Sequence, residues 1–179
     1  TSIVYPFDDK QAIHIWQPEL YHEYINCVRH NSLTQAKIIM PSLEFLYDCP
    51  TLKYLHISPH ASSSDVYDFT PLYGRELKYL CCLNEYYTRG GTPHIGSVDF
   101  SQIISLESLK VNVNRGIQNF RGIETLKSLD IGDFTGEKRD LTDLFVSRDL
   151  DTLRLLEGKT VSLIGIEKKK KMQWLDVSY

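Results

Sequence analysis

The sequence predicts an α/β chain that coils in short rungs: about seven short strands stacked in one curved parallel sheet, with short 3-10 or irregular segments on the convex side. Three observations predict it. Apolar residues recur at every third position and then after two; this ruler returns at intervals of 19 to 29 residues; and a strand followed by a helix, off the ruler, fills the first 32 residues. A helix needs a period of 3.6 and a half-buried strand a period of 2, so neither alone explains threes closed by a two. In a coil the threes form the tight convex side, and the closing two-step is an inward, outward, inward strand.

Residues 1–32 are expected to form an N-terminal cap. Residues 12–16 alternate as a strand, and residues 18–30 read as a helix with Leu20, Tyr24, Cys27 and Val28 on one side and Pro18 in its first turn. Such a segment would shield the open backbone and bare core of the first rung. Residues 33–179 then carry the repeats. Leu33, Ala36 and Ile38 are a worn first copy; Leu43, Leu46, Cys49, Leu52, Leu55 and Ile57 fit without a gap; Leu77, Leu80 and Cys82 keep only the strand part. The clearest copies are Phe100, Ile103, Leu106, Leu109, Val111 and then Ile117, Phe120, Ile123, Leu126, Leu129, Ile131. Leu141, Leu144, Leu150, Leu153 and Leu155 follow with polar Ser147 among them, and Leu163, Ile166, Met172, Leu175 and Val177 with Lys169 where an apolar residue would fall.

Five copies share the pattern Leu-x-x-Leu-x-Leu or its near equivalent, at Leu52 to Ile57, Leu106 to Val111, Leu126 to Ile131, Leu150 to Leu155 and Met172 to Val177. Over roughly residues 33–179 the chain resembles the leucine-rich repeat family, in an irregular, bacterial-type form. One departure is clear. The family places Asn or Cys three residues after the strand's last apolar position, and here those places read His60, Glu85, Asn114, Phe134 and Gly158. The resemblance therefore implies a solenoid of uneven rungs without a continuous asparagine ladder. It also implies a recognition frame without chemistry of its own, of the kind used in adaptors, receptors and inhibitors.

Composition suits a chain that buries a core, with 42% hydrophobic and 24% charged residues. A net charge of -3 gives no general reason to expect nucleic acid or an acidic membrane as partner. No apolar stretch approaches the roughly 20 residues that cross a bilayer. The opening Thr-Ser-Ile-Val-Tyr-Pro lacks the basic start and apolar core of a secretion signal. Of the four cysteines, Cys49 and Cys82 stand where the ruler wants an inward apolar group, with Cys81 facing the other way; a buried thiol suits such a place. Reduced cysteines and a cytoplasmic home are expected.

Strand alternation assigns the concave face. If Leu55 and Ile57 point inward, then Tyr54 and His56 face out, and so by the same count do Tyr79, Lys110, Asn112, Asp130, Arg154, Trp174 and Asp176. Parallel strands lie about 4.8 Å apart, so these side chains would build one surface. Aromatics at both ends with mixed charge between them fit a protein partner better than a phosphate. Two long interruptions, at residues 58–71 and 84–97, would emerge side by side on one edge and supply Tyr67, Tyr86, Tyr87 and Arg89, residue types that anchor interfaces.

Catalytic patterns are missing. His56 and His60 straddle a strand end, where a spacing of four does not put two ligands on one face, and no metal site is expected. Residues 89–96 hold glycines without the Lys-Ser/Thr of a phosphate loop, and no Gly-x-Ser-x-Gly elbow occurs. Lys168 to Lys171 read as a solvated convex face. The expected function is non-enzymatic binding of another protein through the concave face and edge loops, with an immunity-type inhibitor that occludes a toxin as one specific form; no cofactor, nucleic acid or membrane is expected. Two alternatives stay open: an enzyme or enzyme subunit with its site in the loops of residues 58–97, and a structural repeat fragment of a larger protein. No polar cap follows Tyr179, so that edge is expected to be shielded by something outside the chain or to be a contact surface.

Overall fold

A computed structural model describes residues 7–58, 67–82, 98–112, 117–118, 123–132, 141, 147, 149–156 and 162–178. Its strands are β1 (Ile13–Ile15), β2 (Gln35–Ile38), β3 (Tyr54–Ile57), β4 (Tyr79–Cys82), β5 (Val98–Asp99), β6 (Ser108–Asn112), β7 (Ile117–Gln118), β8 (Ser128–Gly132), β9 (Thr152–Leu156) and β10 (Trp174–Ser178). Eight of them form one parallel sheet in the order β1-β2-β3-β4-β6-β8-β9-β10, so chain order is also spatial order. The expected seven strands become eight because Ile13–Ile15 joins the sheet beside β2, with Ile13 opposite Ala36.

Register explains the stability of this arrangement. Leu55, Leu80, Leu109, Leu129, Leu153 and Leu175 stand opposite one another on successive strands, and Ile57, Cys82, Val111, Ile131, Leu155 and Val177 make a second inward column. A slip of one residue would turn every one of these groups to the wrong face, so the register is strongly fixed. At the start of β3, β4, β6, β8, β9 and β10, two consecutive amides converge on one carbonyl of the preceding rung: Lys127 and Ser128 donate to Glu107 O at 2.8 and 3.0 Å, and Asp151 and Thr152 donate to Lys127 O at 2.9 and 3.1 Å.

The ruler residues pack with the inward strand residues. Leu43, Leu46, Cys49, Phe100, Ile103, Leu106, Ile123, Leu126, Leu141 and Leu150 are all buried in one core. Between the strands lie 3-10 turns at Glu44–Asp48, Thr70–Leu72, Phe100–Gln102 and Ile166–Lys168. A short second ladder, β5 parallel with β7, was not foreseen. Gly74, in the left-handed region at φ 72°, lets the chain turn after Thr70–Leu72 and donate its amide to Gln102 O at 2.8 Å.

Near the N-terminus a 3-10 turn, Pro18–Leu20, runs into helix α1 (Tyr21–His30). The buried side of α1 is Ile25 and Val28, with Tyr21 edge-on to Phe45 at 6.2 Å. Cys27, expected on the inner side, is exposed; the spacing of Tyr21, Tyr24, Ile25 and Val28 is the better helical stripe. All four cysteines are free thiols, Cys49 and Cys81 fully buried. The five places where an asparagine ladder was sought, His60, Glu85, Asn114, Phe134 and Gly158, lie outside the described residues.

Among the described residues, side chains tie one rung to the next. Thr51 Oγ1 donates to Leu33 O at 2.8 Å, Thr125 Oγ1 to Leu106 O at 2.7 Å, and the Arg75 guanidinium to Leu46 O and Cys49 O at 2.6 and 2.7 Å. The two polar exceptions on the ruler belong to the same set: Ser147 Oγ meets Leu126 O and Glu124 O, and Lys169 Nζ donates to Ser147 O. Leu46 O and Cys49 O also accept from the amides of Cys49 and Leu52, so Arg75 adds a second bond to each, and the other ties reach carbonyls of a neighbouring rung.

Candidate functional site

Alternation along the strands puts the predicted residues on one face, as two columns. Tyr54, Tyr79, Ser108, Ser128, Thr152 and Trp174 make one; His14, Lys37, His56, Cys81, Lys110, Asp130, Arg154 and Asp176 make the other. Asn112 ends β6 opposite Gly132. The two halves of this face differ in what covers them.

Over β2 to β4 the face is occupied. The Phe7 ring stacks on Tyr79 with centroids 5.5 Å apart and an interplanar angle of 21°, and meets His56 edge-on at 6.0 Å. The Asp8 amide donates to Gln35 Oε1 at 2.9 Å, and the Asp9 carboxylate lies 3.6 Å from Lys37 and 3.7 Å from His14. Tyr79 is consequently 4% exposed, and the expectation of an open aromatic there is corrected. Tyr54 is half-buried, while Cys81 and Ser108 are buried. Nothing in the periodicity marks Phe7, because it lies before the ruler and contacts the face through a ring, not through register.

Over β6 to β10 the second column alternates in charge. Lys110 lies 3.8 Å from Asp130, Asp130 lies 3.9 Å from Arg154, and Arg154 Nε donates to Asp176 at 3.1 Å. Asp130 is 3% exposed, and a carboxylate so buried requires cations on hand, here one on each neighbouring strand. Arg154 and Asp176 remain about one-third exposed, and beside them the Trp174 ring is 37% exposed. Electrostatic and aromatic groups are therefore open together at this end.

The loop residues fare differently. Tyr67, expected as an exposed anchor, is 2% exposed and packs edge-on against Phe69 at 5.0 Å; burial raises its phenol pKa far above the ordinary value. Its apolar ring wins a core place beside Leu72 and Phe69 in the returning chain. Tyr86, Tyr87 and Arg89, with His60 and His94, lie outside the described residues. Among the described residues no group of three or more His, Cys, Asp or Glu could hold a metal ion, and no helix is long and apolar enough to cross a membrane.

A third column went unread in the sequence, although its signal was there. The residue after the first apolar of each repeat reads Lys53, Lys78, Glu107, Lys127, Asp151 and Gln173, just before each strand. Glu107 is bracketed by Lys127 at 2.7 Å and Lys78 at 2.5 Å, and Lys53 meets Glu76 at 3.4 Å. The hydrogen bond from Lys127, then that from Lys78, holds the Glu107 carboxyl below its usual range. Next to this edge Lys171 pairs with Asp149.

The sequence and structure match no protein-family model, no curated protein and no solved structure. Among the described residues, fold and face together define an α/β protein with one eight-stranded parallel sheet beside a two-stranded ladder, few helices and a half-covered sheet face.

Proposed function

We propose that this chain is a leucine-rich repeat solenoid that binds another protein without catalysing a reaction, and that the partner docks on the C-terminal half of the concave face. The single observation that carries this reading is the open group of Trp174, Arg154 and Asp176 on adjacent, rigidly paired strands. Trp and Arg are the side chains most often dominant in interfaces, and a strand fixes them at little entropic cost. The repeated strand motif and the stacked leucine columns support the family assignment. An immunity-type inhibitor that occludes a toxin is the narrower form of the proposal, and four free thiols suit a cytoplasmic setting.

The test is capture from native lysate with three forms of the full chain. Wild type should retain one protein in near-stoichiometric amount, Trp174→Ala should retain at least tenfold less, and Tyr47→Ala, on the opposite side, should behave as wild type. Equal retention by all three, or none by wild type, would sink the proposal.

A further inference from the structure

Cys82 packs into the core, so Cys81 takes the other face of β4, where it stands opposite His56 on β3 and Lys110 on β6. Parallel strands set such neighbours about 4.8 Å apart, and thiols beside imidazole or ammonium groups are the reactive kind. Yet Cys81 is 1% exposed. Ser108, diagonal to it on the same face, is 5% exposed, and its Oγ finds no hydrogen-bond partner among the described residues. A buried hydroxyl left in this way costs stability and keeps a donor ready for a polar group that arrives there.

Phe7 lies over this niche. Its ring meets both residues that flank Cys81: Tyr79, two places before it on β4, at 5.5 Å, and His56, across from it on β3, at 6.0 Å. The remaining hold on residues 7–9 is polar and open to water, through the Asp8 amide on Gln35 and the Asp9 carboxylate, 58% exposed, beside Lys37 and His14. Exposed ion pairs of this kind hold weakly, so lifting this segment takes far less than unfolding the sheet. Cys49, in contrast, is 0% exposed within the core and would stay covered.

We propose that Cys81 is a modification site for small disulfides, and that residues 7–9 are the strap that gates it. When the strap lifts, the Cys81 thiolate attacks one sulfur of the disulfide. The S–S bond breaks, a new one joins Cys81 to that half, and the other half leaves as a thiolate, which takes up the proton that Cys81 gave to solvent. Cys81 is oxidised and the incoming disulfide reduced, so no further reactant is needed. The added group takes the space of the Phe7 ring, so modification and closure exclude each other until a reducing thiol reverses the exchange. The site lies on the covered half of the face and does not depend on the partner proposed above.

Wild type, Phe7→Ala and Asp9→Ala are each incubated with oxidised glutathione, and the modified cysteines are located and timed by peptide mass mapping, with exposed Cys27 as the internal reference. In wild type Cys81 is expected to react more slowly than Cys27 and at least tenfold faster than Cys49. Phe7→Ala should speed Cys81 at least tenfold, Asp9→Ala should act in the same direction, and Cys27 and Cys49 should keep their rates. A Cys81 rate equal to that of Cys49 in all three chains, a rate that neither variant changes, or modification of Cys82 in its place would overturn the proposal. Should Phe7→Ala speed Cys49 as much as Cys81, its opening is global and Asp9→Ala decides: a rise confined to Cys81 sustains the gate, and a rise shared with Cys49 overturns it.

Discussion

Ser147 and Lys169 look like lapses in a hydrophobic ruler, and the structure makes them ties. Ser147 Oγ is buried and meets carbonyls of the rung before it, and Lys169 reaches the Ser147 carbonyl from the rung after. Ser147→Ala would strand the Leu126 carbonyl, and the expected loss is about 1–2 kcal/mol of unfolding free energy, read from a urea transition. Burial lowers the Lys169 pKa, partly offset by Asp149, so its charge is kept at a cost that the hydrogen bond offsets. Glu107 gives a pH signature. Its folded pKa lies below the unfolded value, so its stabilisation is complete above the unfolded pKa of about 4.3 and disappears as pH falls through the folded one. Glu107→Gln should therefore flatten the loss of stability between about pH 5 and pH 3 seen in wild type, measured by urea midpoints across that range. An unchanged acid slope would separate Glu107 from acid stability. Sequence reading found the leucines because apolar periodicity is a local signal, and missed these polar ties because each depends on a neighbour about twenty residues away.

Strands are where the sequence was most legible. The two-step at the end of each copy located β3, β6, β8, β9 and β10, since a strand in this sheet needs only alternation and a buried neighbour on each side. The β5·β7 ladder was not legible, because two-residue pairings leave no periodic trace. Neither was the segment at residues 7–9 across β2 to β4, which is held by one ring and a few polar contacts. Strand position sets the cost of truncation. Leu129, with leucines on both flanking strands, should lose about 2–5 kcal/mol on Leu129→Ala. Leu175, already partly in water, should lose about 1 kcal/mol or less on Leu175→Ala, and chemical denaturation of the two variants should separate them clearly. Equal losses would mean that the last strand is as sealed as the middle of the sheet.

At the scale of the molecule, one end of the sheet face that carries Tyr79 and Trp174 is covered by the Phe7 segment, and at the other end Trp174 is 37% exposed. The aromatics expected at both ends are present, but Tyr79 lies beneath Phe7 while Trp174 does not share that cover. Phe7→Ala should lower stability by about 1 kcal/mol, the scale of a stacked aromatic pair, and, on the proposal that a partner docks on the other half, leave its affinity within about threefold of wild type. A strong loss of affinity would move the docking site toward β3 and β4. The candidate site was half legible from sequence: alternation named its residues, but not which of them the N-terminal segment hides.

Placing a photoreactive side chain at position 174 and, in a separate chain, at position 47 in the Glu44–Asp48 turn tests the docking face most directly. Irradiation with the captured partner should give a covalent adduct from position 174 and none from position 47. An adduct from position 47 alone would place the partner on the Glu44–Asp48 turn and contradict the assignment.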